Sequence, residues 1–239
     1  MDKGTRHITI ITPCYNESKT VISFLESVEG VLCSNAYSFT VVVVNDCSTD
    51  DTLSLLHDFR FKARNLSLHT ISLENNVGHQ AAIYNGFLFA KTLACEHFIV
   101  MDSDGEDAPA VIPALLEHLD ADIVNVVRNK RREPLSFRVS YYCYKAIFRF
   151  VTGKRMNFGN FCLVSRNILE QAVRSNFSHF PAFLSRQKCI TRYIVADREV
   201  RIGGKSKMGF KKLVDHALLS FAEYGYNMQL RVFKRTISR

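Results

Sequence analysis

Three short apolar runs each break at a polar, acid-bearing cluster, and this repeated punctuation limits the fold more than any other feature of the chain. HITIIT at 7–12 runs into PCYNE, FTVVVV at 39–44 into NDCSTD, and FIVM at 98–101 into DSDGED. Runs this short and this apolar, two of them rich in β-branched residues, read as strands buried on both faces. Helical periods fill the intervals. Val21, Phe24, Leu25 and Val28 keep the i, i+3, i+4, i+7 spacing, with Asn16 or Ser18 expected as the cap. Ser48 and Asp51 have the spacing of a capping box ahead of a helix through Leu53 and Leu56. Ala82, Gly86 and Ala90 form a small-residue face on a helix expected over His79 to Lys91. Further strands are expected at Leu68 to Leu73 and Asp122 to Val127. This alternation predicts an α/β fold, a mainly parallel sheet flanked by helices. Ligands of such sheets bind outside the carboxyl ends of the strands, where strand order reverses, and all three polar clusters fall at that edge.

The third cluster carries the most chemistry. If the strand continues past Met101, Asp102, Asp104 and Glu106 point one way, because side chains alternate with period two. Three carboxylates facing one way repel one another unless a cation lies among them, and hard oxygen donors suit Mg²⁺ or Mn²⁺. Read without its neighbours, the same stretch is an acidic turn that favours the N-terminus of the proline-started helix after it.

The charge is divided unevenly. Residues 1–127 hold 7 Lys/Arg against 17 Asp/Glu, whereas residues 128–239 hold 24 against 6, giving the net +8 of the whole chain. The 239 residues suit a single domain with an acidic half at 1–127 and a basic half at 128–239, and the basic half is where an anion would bind. No helix-turn-helix, zinc-finger or RNP-like pattern accompanies the basic residues, so nucleic acid is not the expected partner. Seven cysteines without a C-x-x-C pair fit free thiols in a reducing cytoplasm. MDKGTRH leads straight into a strand rather than a secretory leader, and no apolar run reaches the ~18 to 20 residues that span a bilayer. In the basic half, RNKRREPLSFR reads as a loop, and a helix is expected at about 140–151 with Tyr141, Tyr144 and Phe148 on one face. FGNF reads as a turn before strand-like FCLVS, then a helix through Leu169, a strand within 180–200, a basic loop at 203–209 and an amphipathic segment at 210–221.

Taken together, P-C-Y-N-E at 13–17, N-D-C-S-T-D at 45–50, N-x-G at 76–78, D-S-D-G-E-D-A-P at 102–109, Arg128 with Arg131, G-N-F at 159–161 and R-x-x-G-x-S-K at 201–207 resemble a known family. In this order they are similar to the family 2 glycosyltransferases of the GT-A fold, within them the dolichol-phosphate mannose synthase and polyisoprenyl-phosphate glycosyltransferase group. The resemblance covers about 210 residues and implies a GT-A, Rossmann-like sheet with a basic acceptor-side region. It implies that Pro13, Tyr15, Glu17, Asp46, Ser48, Asp50 and Gly78 surround a UDP- or GDP-sugar donor. Asp102, Asp104 and Glu106 correspond to the metal-binding D-x-D stretch. Arg128, Arg131, Arg198, Arg201, Ser206 and Lys207 are placed to close over phosphates, with Asp104, Asn160, Arg128 and Arg201 as the catalytic set. The chain departs from the family at Asn45 and Asn160, each replacing an aspartate, and at Met208, where tyrosine is usual. An amide cannot take a proton, so Asn160 favours an acceptor that arrives ionised, such as a polyprenyl phosphate, or else marks reduced activity, with Asp107 or Asp197 as substitute bases. The expected enzyme is an inverting, metal-dependent hexosyltransferase, peripheral on an anionic membrane at its cytoplasmic face. Transfer to a sugar hydroxyl, or nucleotide-sugar binding without turnover, are the alternatives.

Overall fold

Seven strands form one sheet in the order β3-β2-β1-β4-β6-β5-β7 in the computed structural model, which describes residues 7–128, 149, 158–196 and 218–224. In chain order these are β1 (His7–Cys14), β2 (Ser38–Asn45), β3 (Leu66–Ser72), β4 (His97–Val100), β5 (Ile123–Arg128), β6 (Phe158–Ser165) and β7 (Thr191–Ala196). The helices are α1 (Val21–Leu32), α2 (Thr52–Asp58), α3 (His79–Ala90), α4 (Ile112–Leu116), α5 (Arg166–Ser175) and α6 (Phe180–Arg186). Arg131, Arg198, Arg201, Ser206, Lys207, Met208 and Asp197 lie outside the described residues, as do the loops expected after Arg128 and at 203–209. Of the expected 140–151 helix only Arg149 is described.

The valine run of β2 explains the layering. Val41 to Val44 are all fully buried, and alternation sends Val41 and Val43 to one face with α1, α2 and α4. Val42 and Val44 go to the other face, with α3, α5 and α6. Each such side chain contributes about 1.5–3 kcal/mol on leaving water, so a run buried on both faces fixes its strand in the sheet. Gly86 faces the sheet on α3, where an added Cβ would lie 2.4 Å from Ile11 Cγ2 and 3.2 Å from Val44 Cγ2. The small face read from the sequence therefore brings α3 close to β1 and β2.

β1 pairs in parallel with β2 on one side and with β4 on the other. The order reverses there, at the carboxyl ends that carry PCYNE, NDCSTD and DSDGED. One strand departs from the parallel pattern. β6 runs antiparallel to both β4 and β5, so its first residues, Phe158 to Asn160, reach the edge where its neighbours end. FGNF is thus part of a strand rather than a turn. Another correction concerns α1, which begins at Val21 with Thr20 as its cap residue. Asn16 and Ser18 are committed elsewhere, and the Thr20 hydroxyl donates to Glu17 Oε2 at 2.8 Å. Helical residues 218–224 dock on α6, where buried Glu223 pairs with Arg186 at 3.0 Å and accepts from Ser178 N at 2.7 Å.

Candidate active site

The first two polar clusters are cross-linked to each other by side chains accepting from backbone. Asn16, at a φ of 53°, donates its N–H to Ser48 Oγ at 2.9 Å, and its Oδ1 accepts from Thr49 N at 2.7 Å. Glu17 N donates to Thr52 Oγ1 at 2.9 Å and Ser18 N to Asp50 Oδ2 at 3.2 Å. Asp50 also accepts from Thr52 N and from the Thr52 hydroxyl. Burial pushes the Asp50 carboxyl up, but hydrogen bonds from Thr52 and Ser18 outweigh it and leave it below its ordinary range. Ser48 therefore joins two loops instead of closing a capping box; α2 starts at Thr52 without a side-chain cap. Asn45, which replaces an acid, is buried and braces the same loop, donating to Ser72 Oγ at 3.0 Å and accepting from Ser48 N at 3.2 Å.

Asp46 is 3% exposed. Its Oδ1 accepts from Val77 N at 2.7 Å and its Oδ2 from Gly78 N at 2.9 Å. Gly78 sits at a φ of 88°, a conformation that costs a side-chain-bearing residue dearly, and it leads directly into α3. This carboxylate thus fixes the start of α3. Tyr15, by contrast, is 38% exposed just past the end of β1, so it is not a core aromatic.

Strand β4 stops at Val100, and DSDGED is a turn with Gly105 at a φ of 82°. Strand alternation is therefore not what aligns its acids. The turn is instead bracketed from within: Asp107, 4% exposed, accepts from Asp102 N at 3.0 Å, and buried Ser103 donates to Pro13 O at 3.0 Å. Ser103, Gly105 and Asp107 face inward while Asp102, Asp104 and Glu106 remain partly exposed. Glu106 N donates to Asp104 Oδ1 at 3.0 Å. Asp107 is a brace for this turn. Among the described residues, no three His, Cys, Asp or Glu side chains are already gathered as a metal site.

Two residues that the motifs did not single out complete the cleft. His79 Nε2 pairs with Asp102 Oδ1 at 3.2 Å. Burial lowers the His79 pKa, but Asp102, with Asp104 and Asp107 behind it, more than offsets this and raises it. Asn160 Nδ2 lies 2.8 Å from the same His79 nitrogen. Antiparallel pairing of β6 with β4, Val100 opposite Cys162, brings Asn160 to the edge from which the Asp102 turn departs, and His79 touches both residues. Gln80, 8% exposed, donates to Asn160 Oδ1 at 3.2 Å and accepts from Phe180 N at 2.6 Å. A polar His-Gln pair opening a helix of small and apolar residues was the available signal for both. Arg128 ends β5 on this same edge, since β5, like β4, runs antiparallel to β6.

One edge therefore gathers Pro13, Tyr15, Glu17, Asp46, Ser48, Asp50, Gly78, Asp102, Asp104, Glu106, Arg128 and Asn160. The model of the family described as glycosyl transferase family 2 matches residues 9–172. An undecaprenyl-phosphate 4-deoxy-4-formamido-L-arabinose transferase of Klebsiella pneumoniae (strain 342) is 24% identical over 221 residues, 88% of this chain and 65% of that protein. The enzyme of the same name from Pseudomonas fluorescens (strain SBW25) is 30% identical over 128 residues, 53% of this chain and 36% of that one. The chain spans between 36% and 66% of the length of such curated relatives. Among solved structures, glucosyl-3-phosphoglycerate synthase from Mycobacterium tuberculosis with Mn²⁺ and UDP-glucose superposes with a TM-score of 0.65 at 14% identity, covering 92% of this chain and 78% of that one. Mannosyl-3-phosphoglycerate synthase from Rubrobacter xylanophilus gives 0.65 at 13% identity, covering 96% and 75%. With its mostly parallel seven-stranded sheet, its switch point and its match over residues 9–172, the chain belongs to glycosyl transferase family 2 and has the GT-A fold.

Proposed function

We propose that this chain transfers a sugar, with inversion, from a nucleoside-diphosphate sugar to a polyprenyl phosphate. A UDP-sugar is favoured over a GDP-sugar because the superposed Mycobacterium tuberculosis structure carries UDP-glucose. The observation that carries the reading is the carboxylate turn 102–107 beside the β1–β4 switch point, facing Asn160 rather than an acid. Tyr15 and Glu17 would receive the nucleoside. Asp102, Asp104 and Glu106 offer only carboxylate oxygens from a single turn, a donor set that fits Mg²⁺ or Mn²⁺. Such a cation, when bound, supplies Lewis-acid neutralisation of the diphosphate leaving group.

The chain's own residues account for the rest. The acceptor oxygen attacks the anomeric carbon opposite the diphosphate, and the sugar passes through an oxocarbenium-like state. A phosphate monoester has its second pKa near ~6, by analogy with phosphorylated side chains, and needs positioning rather than deprotonation. Asn160, an amide, can position it. Arg128, with Arg131, Arg198, Arg201, Ser206 and Lys207 from the basic half, supplies positive charge for two sets of phosphates. The same basic half would hold the protein against an anionic membrane, on the cytoplasmic face. No helix among the described residues is long and apolar enough to cross a membrane.

The test is transfer of radiolabelled sugar from UDP- and GDP-sugars to undecaprenyl phosphate in detergent. Label that enters the organic phase and is released by mild acid is the expected result. Label that enters only a mild-acid-stable glycoside would move the acceptor to a hydroxyl. Donor binding without transfer would make the chain a nucleotide-sugar binding protein.

A further inference from the structure

The side-chain amide of Asn160 has a direction, and it can be read from the backbone. A main-chain N–H only donates, so the atom of Gln80 that meets Phe180 N at 2.6 Å is its oxygen. The other end of Gln80 is then its NH₂ group, which donates to Asn160 Oδ1 at 3.2 Å. With its oxygen taken up on the buried side, Asn160 turns its own NH₂ toward His79 Nε2, which accepts from it when the ring proton is on Nδ1, and toward the Asp102 turn, on the exposed side of the contact. Gln80 is buried and Phe180 is the first residue of α6, so the polarity is set by groups that solvent does not reach.

We propose that Gln80 is a positioning residue: it holds Asn160 as a hydrogen-bond donor to the reaction cleft, so that the site receives an acceptor as a phosphate oxyanion and not as a hydroxyl. This rests on the transferase reading above and deepens it. An N–H facing the attacking group stabilises negative charge already present there, whereas a hydroxyl acceptor needs a proton acceptor at that place. The amide's oxygen, the only lone-pair donor of the Asn160 side chain, is directed away.

Gln80→Glu separates this role from a structural one. The glutamate still accepts from Phe180 N, which keeps α6 tied, but in its ionised form, secured by assaying above pH 8, its second oxygen cannot donate to Asn160 Oδ1. The Asn160 amide then turns over and presents oxygen to the cleft. The expected result is a loss of about 10- to 100-fold in kcat/KM for undecaprenyl phosphate, the range seen for outer groups that orient a reacting one. KM for the nucleotide sugar should stay within about twofold and the melting temperature within a few degrees. In an Asn160→Ala background the same substitution should cost almost nothing, because its effect acts only through Asn160. An equal loss in both backgrounds, or no loss in either, overturns the proposal.

A second measurement does not depend on turnover. In ¹⁵N-labelled protein the Asn160 NH₂ signals, identified by their disappearance in Asn160→Ala, should shift on adding farnesyl phosphate and not on adding farnesol. In Gln80→Glu that shift should be lost. Unchanged Asn160 signals with farnesyl phosphate in the wild type overturn the donor assignment. If the wild type transfers no sugar to lipid phosphate yet its Asn160 signals respond, the transferase reading fails while the amide's direction stands.

Discussion

Replacing Asp46 by asparagine tests whether this acid is chiefly a structural clasp. In the native state its two oxygens accept from Val77 N at 2.7 Å and Gly78 N at 2.9 Å, and the side chain is 3% exposed. Asparagine keeps one acceptor oxygen at this site. Its NH₂ must then face a backbone N–H, so one charge-assisted hydrogen bond is lost and a buried donor is left without a partner. A bond to a charged group is worth about 1.5–3 kcal/mol net, so the expected destabilisation is about 2–3 kcal/mol. For a chain of this size that lowers the melting temperature by about 4–12 °C. Urea unfolding followed by circular dichroism at pH 7 measures it directly, and the m-value should not change because the same surface is exposed on unfolding. Because the clasp orders Val77 and Gly78, and Gly78 is among the residues expected to surround the donor, nucleotide-sugar affinity should weaken as well. A variant within about 0.5 kcal/mol of the wild type, the range of inconsequential surface changes, would refute the clasp and return Asp46 to a ligand-only role.

Gly86→Ala should destabilise the protein by up to about 2 kcal/mol in the same urea experiment. Overpacking against the branched Ile11 side chain costs about 1–3 kcal/mol, against the roughly 1 kcal/mol that alanine returns through helix propensity. Asp50 predicts a pH dependence of definite sign: its folded pKa is depressed, so its contribution is fully present above the unfolded carboxylate pKa and is lost as pH falls through the folded value. The penalty of Asp50→Asn should therefore be measurable at pH 7 and shrink toward zero in acid, and a penalty that grew in acid would contradict the assignment. Cysteine labelling checks the core. Cys162 is fully buried and its thiol is pushed up by burial, then by Asp107, whereas Cys33 is exposed. Iodoacetamide at pH 8 followed by peptide mapping should modify Cys33 and spare Cys162, and the reverse order would place β6 wrongly.

The parallel half of the fold was legible because buried strands and amphipathic helices write their periods into the sequence, and because polar clusters at three strand ends mark a single edge. The valines of β2 and the small face of α3 are examples. What escaped is decided by tertiary contact. β6 is apolar enough to be a strand, but nothing in FGNFCLVS states that it runs against its neighbours or that Asn160 is inside it. α6 has 7 residues, begins with Phe-Pro and is buried on most sides, so it shows no amphipathic period. Asp102, Asp104 and Glu106 were read as sharing one direction through strand alternation, whereas in the structure their common partial exposure comes from a turn held by the Asp107 and Ser103 hydrogen bonds. Asn16 and Ser48 looked like helix caps because cap residues and loop braces use the same short polar side chains, whereas Ser18 joins the brace through its main-chain N–H. His79 and Gln80 became legible only once antiparallel β6 brought Asn160 to the edge where the Asp102 turn begins.

We propose that Asp102, Asp104 and Glu106, the partly exposed acids of the 102–107 turn, recruit a divalent cation to the donor's diphosphate. Calorimetric titration of UDP- and GDP-sugars into the protein with Mn²⁺ tests it, repeated with chelator and with an Asp102→Ala/Asp104→Ala variant. The account predicts Mn²⁺-dependent binding of one nucleotide class, weakened by about tenfold or more both by chelator and by the double substitution. Equal affinity under all three conditions would contradict it.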